Sequence, residues 1–173
     1  MELWDVYDVN RNRTGKIIER GVSWGDEKYH LIIHVAIFNK EGKMLIQKRA
    51  ACKRAWANLW DISCGGSAVA GEDSQKAAER EVKEELGIDI DLSEVRPHFT
   101  INYQRGFDDF YTYETEVNPD ELVLQTEEVA EARWASLEEV RELFRRGEFV
   151  PYFQPIVELL WQVRDNYDGA IRQ

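Results

Sequence analysis

The sequence predicts an α/β protein, a sandwich of helices on a mixed central sheet, entered through an N-terminal β-hairpin. Three observations carry this reading. Extended apolar segments fill the first third of the chain and return near residue 99. One segment of clear helical period, 74–86, separates the two runs, and further helix signals come only towards the C-terminus. Strands, one central helix, more strands and then helices fit a layered α/β unit. At 173 residues the chain can bury a substantial core. We read residues 1–173 as one domain, with hairpin and loop over 1–28 and the core with its C-terminal helix over 29–173.

The elements follow in order. Trp4–Asp8 alternates, Asn10–Gly15 is turn-like and Lys16–Arg20 resumes an extended pattern, giving the hairpin. Gly21–Lys28 reads as a loop, His30–Phe38 as a strong strand, Asn39–Gly42 as a turn and Lys43–Arg49 as the partner strand. Trp56–Ser63 then approaches the pair Gly65-Gly66. The helix over Ser74–Leu86 meets Gly87, a residue suited to a left-handed C-cap. Phe99–Tyr103 and Phe110–Val117 read as strands around a loop holding Arg105, and Asn118–Glu128 as an acidic turn region. Glu131–Ala135 is a short strand, and Ser136 with Glu139 spells a capping box for a helix running to Arg146. Pro155 opens a final helix through Asn166, whose stripe of Ile156, Leu159, Leu160 and Val163 is expected to pack on the sheet or to make a dimer contact.

The formal charge is −11. Such a surface repels phosphate backbones and argues against a nucleic-acid polymer as partner, yet a small phosphorylated substrate stays open through a bridging cation. No apolar run reaches the roughly 18 residues of a membrane span, and the acidic start MELWDVYD lacks the order of a secretory leader. Cys52 and Cys64 match no metal-binding repeat and read as reduced thiols, which points to the cytoplasm.

The chemistry gathers in residues 66–88. At ~100° per residue, Glu81, Glu84 and Glu85 fall within an arc of roughly 100° on one helix edge, beside a stripe of Ala78, Val82 and Leu86. Lys76, Arg80 and Lys83 could pair such carboxylates on a solvated face. Unpaired, three acids on one edge weaken a helix, and a hard divalent cation with a taste for oxygen ligands relieves them.

The wider spacing resembles the Nudix box: Gly66, five residues, Glu72, seven residues, Arg80-Glu81, Val82, one residue, Glu84-Glu85, one residue, Gly87 and Ile88. The resemblance implies a Nudix-type α/β/α sandwich and a hydrolase dependent on Mg2+, or Mn2+ in its place, that cleaves a diphosphate bond in a small molecule, by default a nucleoside diphosphate derivative. It also implies roles. Glu81 and Glu85 match the main metal ligands, and Glu84 a third ligand or contributor to base catalysis. Arg80 matches the arginine that orients the neighbouring glutamate, and Glu72 an internal salt-bridge acid. Gly65 sits where a backbone carbonyl joins the metal shell, and Gly66 where a tight turn enters the helix. A separate base comes from a late loop, for which Glu127 and Glu128 are candidates and Glu128 is preferred. Phosphate contacts are open to Lys48, Arg49, Lys53, Arg54 and Arg105. Trp56, Trp60, Tyr103, Phe107 and Tyr111 could stack on a base or fill the core.

Beyond the box, Trp4-Asp5-Val6-Tyr7-Asp8, the segment Tyr29–Phe38, Met44–Arg49 and Trp60-Asp61 resemble the branch related to isopentenyl diphosphate isomerase. That enzyme moves a proton and leaves the diphosphate intact. Aligned on Trp60, its catalytic cysteine falls on Gly65, one residue after Cys64, and its following histidine on Ser67. Asp108 and Asp109 stand where its glutamate is expected, while His30 matches a metal-binding histidine. A binding module that has lost catalysis is the third reading, but every carboxylate of the box is present.

Overall fold

A computed structural model describes residues 2–22 and 29–168, so most of the loop expected over Gly21–Lys28, residues 23–28, lies outside the described residues. β1 (Leu3–Tyr7) and β2 (Arg13–Glu19) pair antiparallel as the N-terminal hairpin. The main sheet is built on β3 (His30–Phe38), whose one edge pairs antiparallel with β6 (Cys64–Ser67) and the other in parallel with β8 (Gly106–Glu114). β7 (Phe99–Tyr103) extends it antiparallel beyond β8. β4 (Met44–Arg49) meets β3 only beside their shared turn, at Phe38 and Met44. It then carries β5 (Trp60–Asp61) on one edge and β9 (Val129–Ala135) on the other.

Both sheet faces are covered, as the nearly continuous apolar run of β3 demands. Leu31, Ile33, Val35 and Ile37 pack towards α1 (Ser74–Leu86) and its buried Ala77, Ala78, Val82 and Leu86. Ala36 and Phe38 face the opposite way. They join Met44, Ile46 and Trp60 beneath α2 (Leu137–Arg146) and α3 (Gln154–Val163). The result is the expected α/β/α sandwich. No described helix is long and apolar enough to cross a membrane.

The helix ends match their sequence signals. Asp73 caps α1 by accepting from the Lys76 amide, and Gly87 ends it at φ 72°. Ser136 and Glu139 form the capping box of α2, and Gly147 closes that helix at φ 67°. A left-handed closing residue costs a non-glycine side chain dearly, so both stops follow from the glycines.

β2 begins at Arg13, inside the stretch read as a turn, and other elements also differ from the sequence reading. Gly65 and Gly66 lie in strand β6, not in a turn, and the chain reverses towards α1 later, at Gly71 with φ 92°. β8 begins at Gly106 instead of Phe110, because Asp108 is partnered by His34 of β3 and Asp109 by Arg11 of the hairpin turn. In α3 the buried face is Val157 and Leu160, while Leu159 is exposed. Leu160→Ala is therefore expected to cost about 3 kcal/mol, against no more than about 0.5 kcal/mol for Leu159→Ala. Urea unfolding of the two variants checks this orientation, and equal losses would contradict it.

Candidate active site

An open cleft of about 400 Å³ runs along the acidic edge of α1. Its walls include Gly65, Gly66 and Ser67 of β6, Glu81, Glu84 and Glu85 of α1, Arg49 at the end of β4, Lys53, Gln125 and Glu128 from loops, and Glu2 and Arg20 from the hairpin.

The glutamates owe their placement to α1 lying on β6. A Cβ at Gly66 would overlap the Glu81 carboxylate where Arg80 holds it, so a side chain there would push that carboxylate out of the row. This close approach is the physical demand for glycine at the start of the box, in place of the turn that the sequence suggests. Arg80 organises the row. Its guanidinium binds Glu72 (2.7 and 3.0 Å), Glu81 (2.9 Å), Glu84 (3.0 Å) and the Ser67 carbonyl (3.1 Å). The Glu72 carboxylate in turn accepts the Val69 amide, so the loop before α1 is tied to its middle. Five charge-assisted contacts on one side chain give a rigid unit, and the pairing holds Arg80 protonated far above any working pH.

Glu85 lies deepest. It accepts from Gln47 Nε2 at 2.9 Å and from the Cys64 thiol, and burial with the nearby Glu81 charge pushes it up to about 7. Burial also raises Glu81, although Arg80 partly offsets this. Among the described residues, no three His, Cys, Asp or Glu side chains converge on one point as they stand, since Arg80 takes up Glu81 and Glu84. The donor set still fits a divalent cation. It offers oxygen ligands only, and burial raises two of its carboxylates, Glu81 and Glu85, the second also through the charge of the first, which a cation between them would relieve.

Across the cleft, Glu128 forms an ion pair with Lys53. Its loop is fixed from both sides, by Ala50 N–H to the Glu128 carbonyl (2.8 Å) and by Gln125 N–H to the Glu85 carbonyl (3.1 Å). Arg49 donates to the buried Asp61 at 3.0 Å, and Asp61 also accepts from Tyr152 Oη at 2.9 Å. Arg54 and Arg105 are exposed and outside the cleft lining, as is the half-exposed Trp56. Trp60, Phe107 and Tyr111 are core residues, and Tyr103 packs edge-on against His30. Sequence reasoning missed Glu2 and Arg20, because nothing local says that a hairpin folds back over a helix sixty residues later.

The isomerase comparison meets this geometry at Gly65. A side chain there would run into the His34 ring. That ring is buried between Phe110 and Tyr152, 3.0 Å from Asp108, on the face of the sheet opposite α1. Cys64 points the other way, into the α1 side, where burial holds its thiol well above its ordinary pKa. A nucleophilic or proton-shuttling cysteine needs the reverse environment.

The comparisons with known proteins agree with this architecture. A model of the NUDIX domain matches residues 28–153. An uncharacterised Nudix hydrolase of Listeria monocytogenes is 51% identical over 153 residues, covering 88% of this chain and 90% of its own. An isopentenyl-diphosphate Delta-isomerase of Salmonella arizonae is 34% identical over 119 residues, 64% of each chain. A crystal structure from Deinococcus radiodurans superposes with a TM-score of 0.73 at 21% identity, covering 93% of this chain and 98% of that one. With an intact box, this sandwich and a relative matched over most of both lengths, the chain belongs to the Nudix hydrolase family.

Proposed function

We propose that this hydrolase uses Mg2+, with Mn2+ able to substitute, to cleave the diphosphate bond of a small molecule, by preference a nucleoside diphosphate derivative. The observation that carries the proposal is one cleft that brings the carboxylate row of α1 together with the cationic side chains of Arg49 and Lys53. Glu81, Glu84 and Glu85, with the Gly65 carbonyl, would hold the cation. Once bound, the cation neutralises phosphate oxygens and lowers the pKa of a water molecule.

The protein's own groups then have distinct tasks. Arg80, held by its five contacts, keeps Glu81 and Glu84 at fixed positions, so little reorganisation is needed during the reaction. Arg49 and Lys53 face the phosphates as counter-charges, Arg49 braced by Asp61. Glu128 takes the proton of the attacking water as general base. In the resting cleft it is paired with Lys53, and a phosphate that draws Lys53 away leaves the carboxylate available. Cys52 and Cys64 are both free thiols, consistent with a cytoplasmic enzyme.

Incubation with magnesium and a panel of diphosphate compounds, with the products identified, tests the reaction class. Phosphate or monophosphate release is expected, and conversion of isopentenyl diphosphate with no release would point to the isomerase instead. Glu128→Gln should lower kcat by about 10²- to 10⁴-fold with little change in KM. A variant with unaltered kcat would move the base elsewhere.

A further inference from the structure

We propose that Arg20, carried by the N-terminal hairpin, is a substrate-binding residue whose guanidinium takes a phosphate oxygen of the diphosphate. The inference rests on the hydrolase reading above, and it adds a wall to the site that lies outside the matched segment 28–153.

The hairpin reaches the cleft in a fixed pose. The Leu3 carbonyl accepts the Ala70 amide at 2.8 Å, and the Asp5 carboxylate accepts the Gly71 amide at 2.8 Å. Arg13 donates to the Glu72 carbonyl, and Tyr7 pairs with Tyr29 at the edge of the sheet. Three of these four ties grip residues 70–72, the loop that leads into α1, so the hairpin is anchored beside the acidic row. Arg20 itself continues from β2, with its amide bonded to the Glu2 carbonyl at 2.9 Å.

Among the described residues four cations line the cleft, and they differ in how firmly they are held. Arg80 is bound by three carboxylates, Arg49 by a buried aspartate and Lys53 by Glu128. Their side chains are 25%, 17% and 20% exposed, against 58% for Arg20. Among the described residues the single carboxylate partner of Arg20, Glu2 at 2.7 Å, is itself in the cleft wall. An exposed pair of this kind contributes little, whereas a guanidinium on phosphate is among the stronger charge-assisted contacts. A diphosphate entering the cleft therefore displaces Glu2 from Arg20. Glu2 acts as a competitor that occupies the arginine while the site is empty, and it keeps its second hydrogen bond, from Trp4 Nε1.

This makes two opposite predictions for two neighbouring residues. Calorimetric titration with α,β-methylene-ADP in magnesium should show binding weakened about 10-fold by Arg20→Ala. Glu2→Gln, which frees the arginine and removes a negative charge, should tighten binding by about 2- to 5-fold. With a hydrolysed substrate the same changes should appear in KM and leave kcat nearly constant. A purely structural role for the pair would shift both variants the same way and lower their melting temperatures. Unchanged affinity in Arg20→Ala, or parallel losses in both variants, overturns the proposal while hydrolysis by the wild type stands. A wild-type protein that binds neither this probe nor inorganic pyrophosphate, and hydrolyses nothing, overturns both readings.

Discussion

Glu85→Gln is expected to lower kcat/KM by about three orders of magnitude at saturating magnesium, the scale seen when a preorganised charged group is lost. The same substitution should make the metal-free protein more stable. The amide keeps the shape of the side chain and can still meet Gln47, but it carries no charge into a site that is almost fully buried. In the folded wild type, burial and Glu81 push Glu85 up to about 7. Between the ordinary carboxylate range and that value the folded chain holds a proton that the unfolded chain has released. Stability of the wild type therefore falls as pH rises through this window, and the loss is complete above it. Glutamine has no such dependence. The advantage of the variant should be small near pH 5 and on the order of 2 kcal/mol near pH 8. Urea unfolding in chelator at both pH values measures it. Turnover within tenfold of wild type would remove Glu85 from the catalytic set.

The second large effect lies away from the cleft. Asp109 is fully buried, yet it sits among donors: both terminal guanidinium nitrogens of Arg11, the Thr100 hydroxyl at 2.6 Å and the Ser74 hydroxyl at the first turn of α1. Arg11 occupies the hairpin turn in a left-handed conformation, φ 64°, with its amide on the Asp8 carbonyl. Arg11→Ala should relieve that backbone little and leave a buried carboxylate served only by hydroxyls. A loss of about 3 kcal/mol is expected, because the desolvation cost of the charge stays when its partner leaves. The urea midpoint should fall with an unchanged slope. A loss below about 1 kcal/mol would mean that Ser74 and Thr100 suffice.

The central helix, its cap at Gly87, the capping box of α2 and the strand over His30–Phe38 were all legible in the sequence. Each is written in contiguous residues whose period or stop signal has a local cause. β6 was hidden because paired glycines read as a turn, whereas here Gly66 is small to admit Glu81 and Gly65 lies over His34. The start of β8 was hidden because two adjacent aspartates interrupt its apolar pattern, and the partners that bury one of them, Arg11 and Ser74, are distant in the chain. The spacing of the box located the acidic wall of the cleft, but the opposite wall had no such pattern. Basic residues near the site in sequence divide in space, with Arg49 and Lys53 in the cleft and Arg54 and Arg105 outside it. Likewise, periodicity showed that α3 is amphipathic but could not fix its rotation to within one residue, so Leu159 and Val157 exchange roles.

The parallel pairing of β3 with β8 bears on how the molecule is made. His30 pairs with Gly106, and the two are separated by 106 − 30 = 76 positions. During synthesis β3 therefore leaves the ribosome with one edge unsatisfied, and α1 is complete before the neighbouring strand exists. Closing so long a loop is entropically costly before any of its contacts form, which places such topologies among the slower folders. The exposed apolar edge of β3 is the point at which a nascent or stalled chain would associate with another copy of itself.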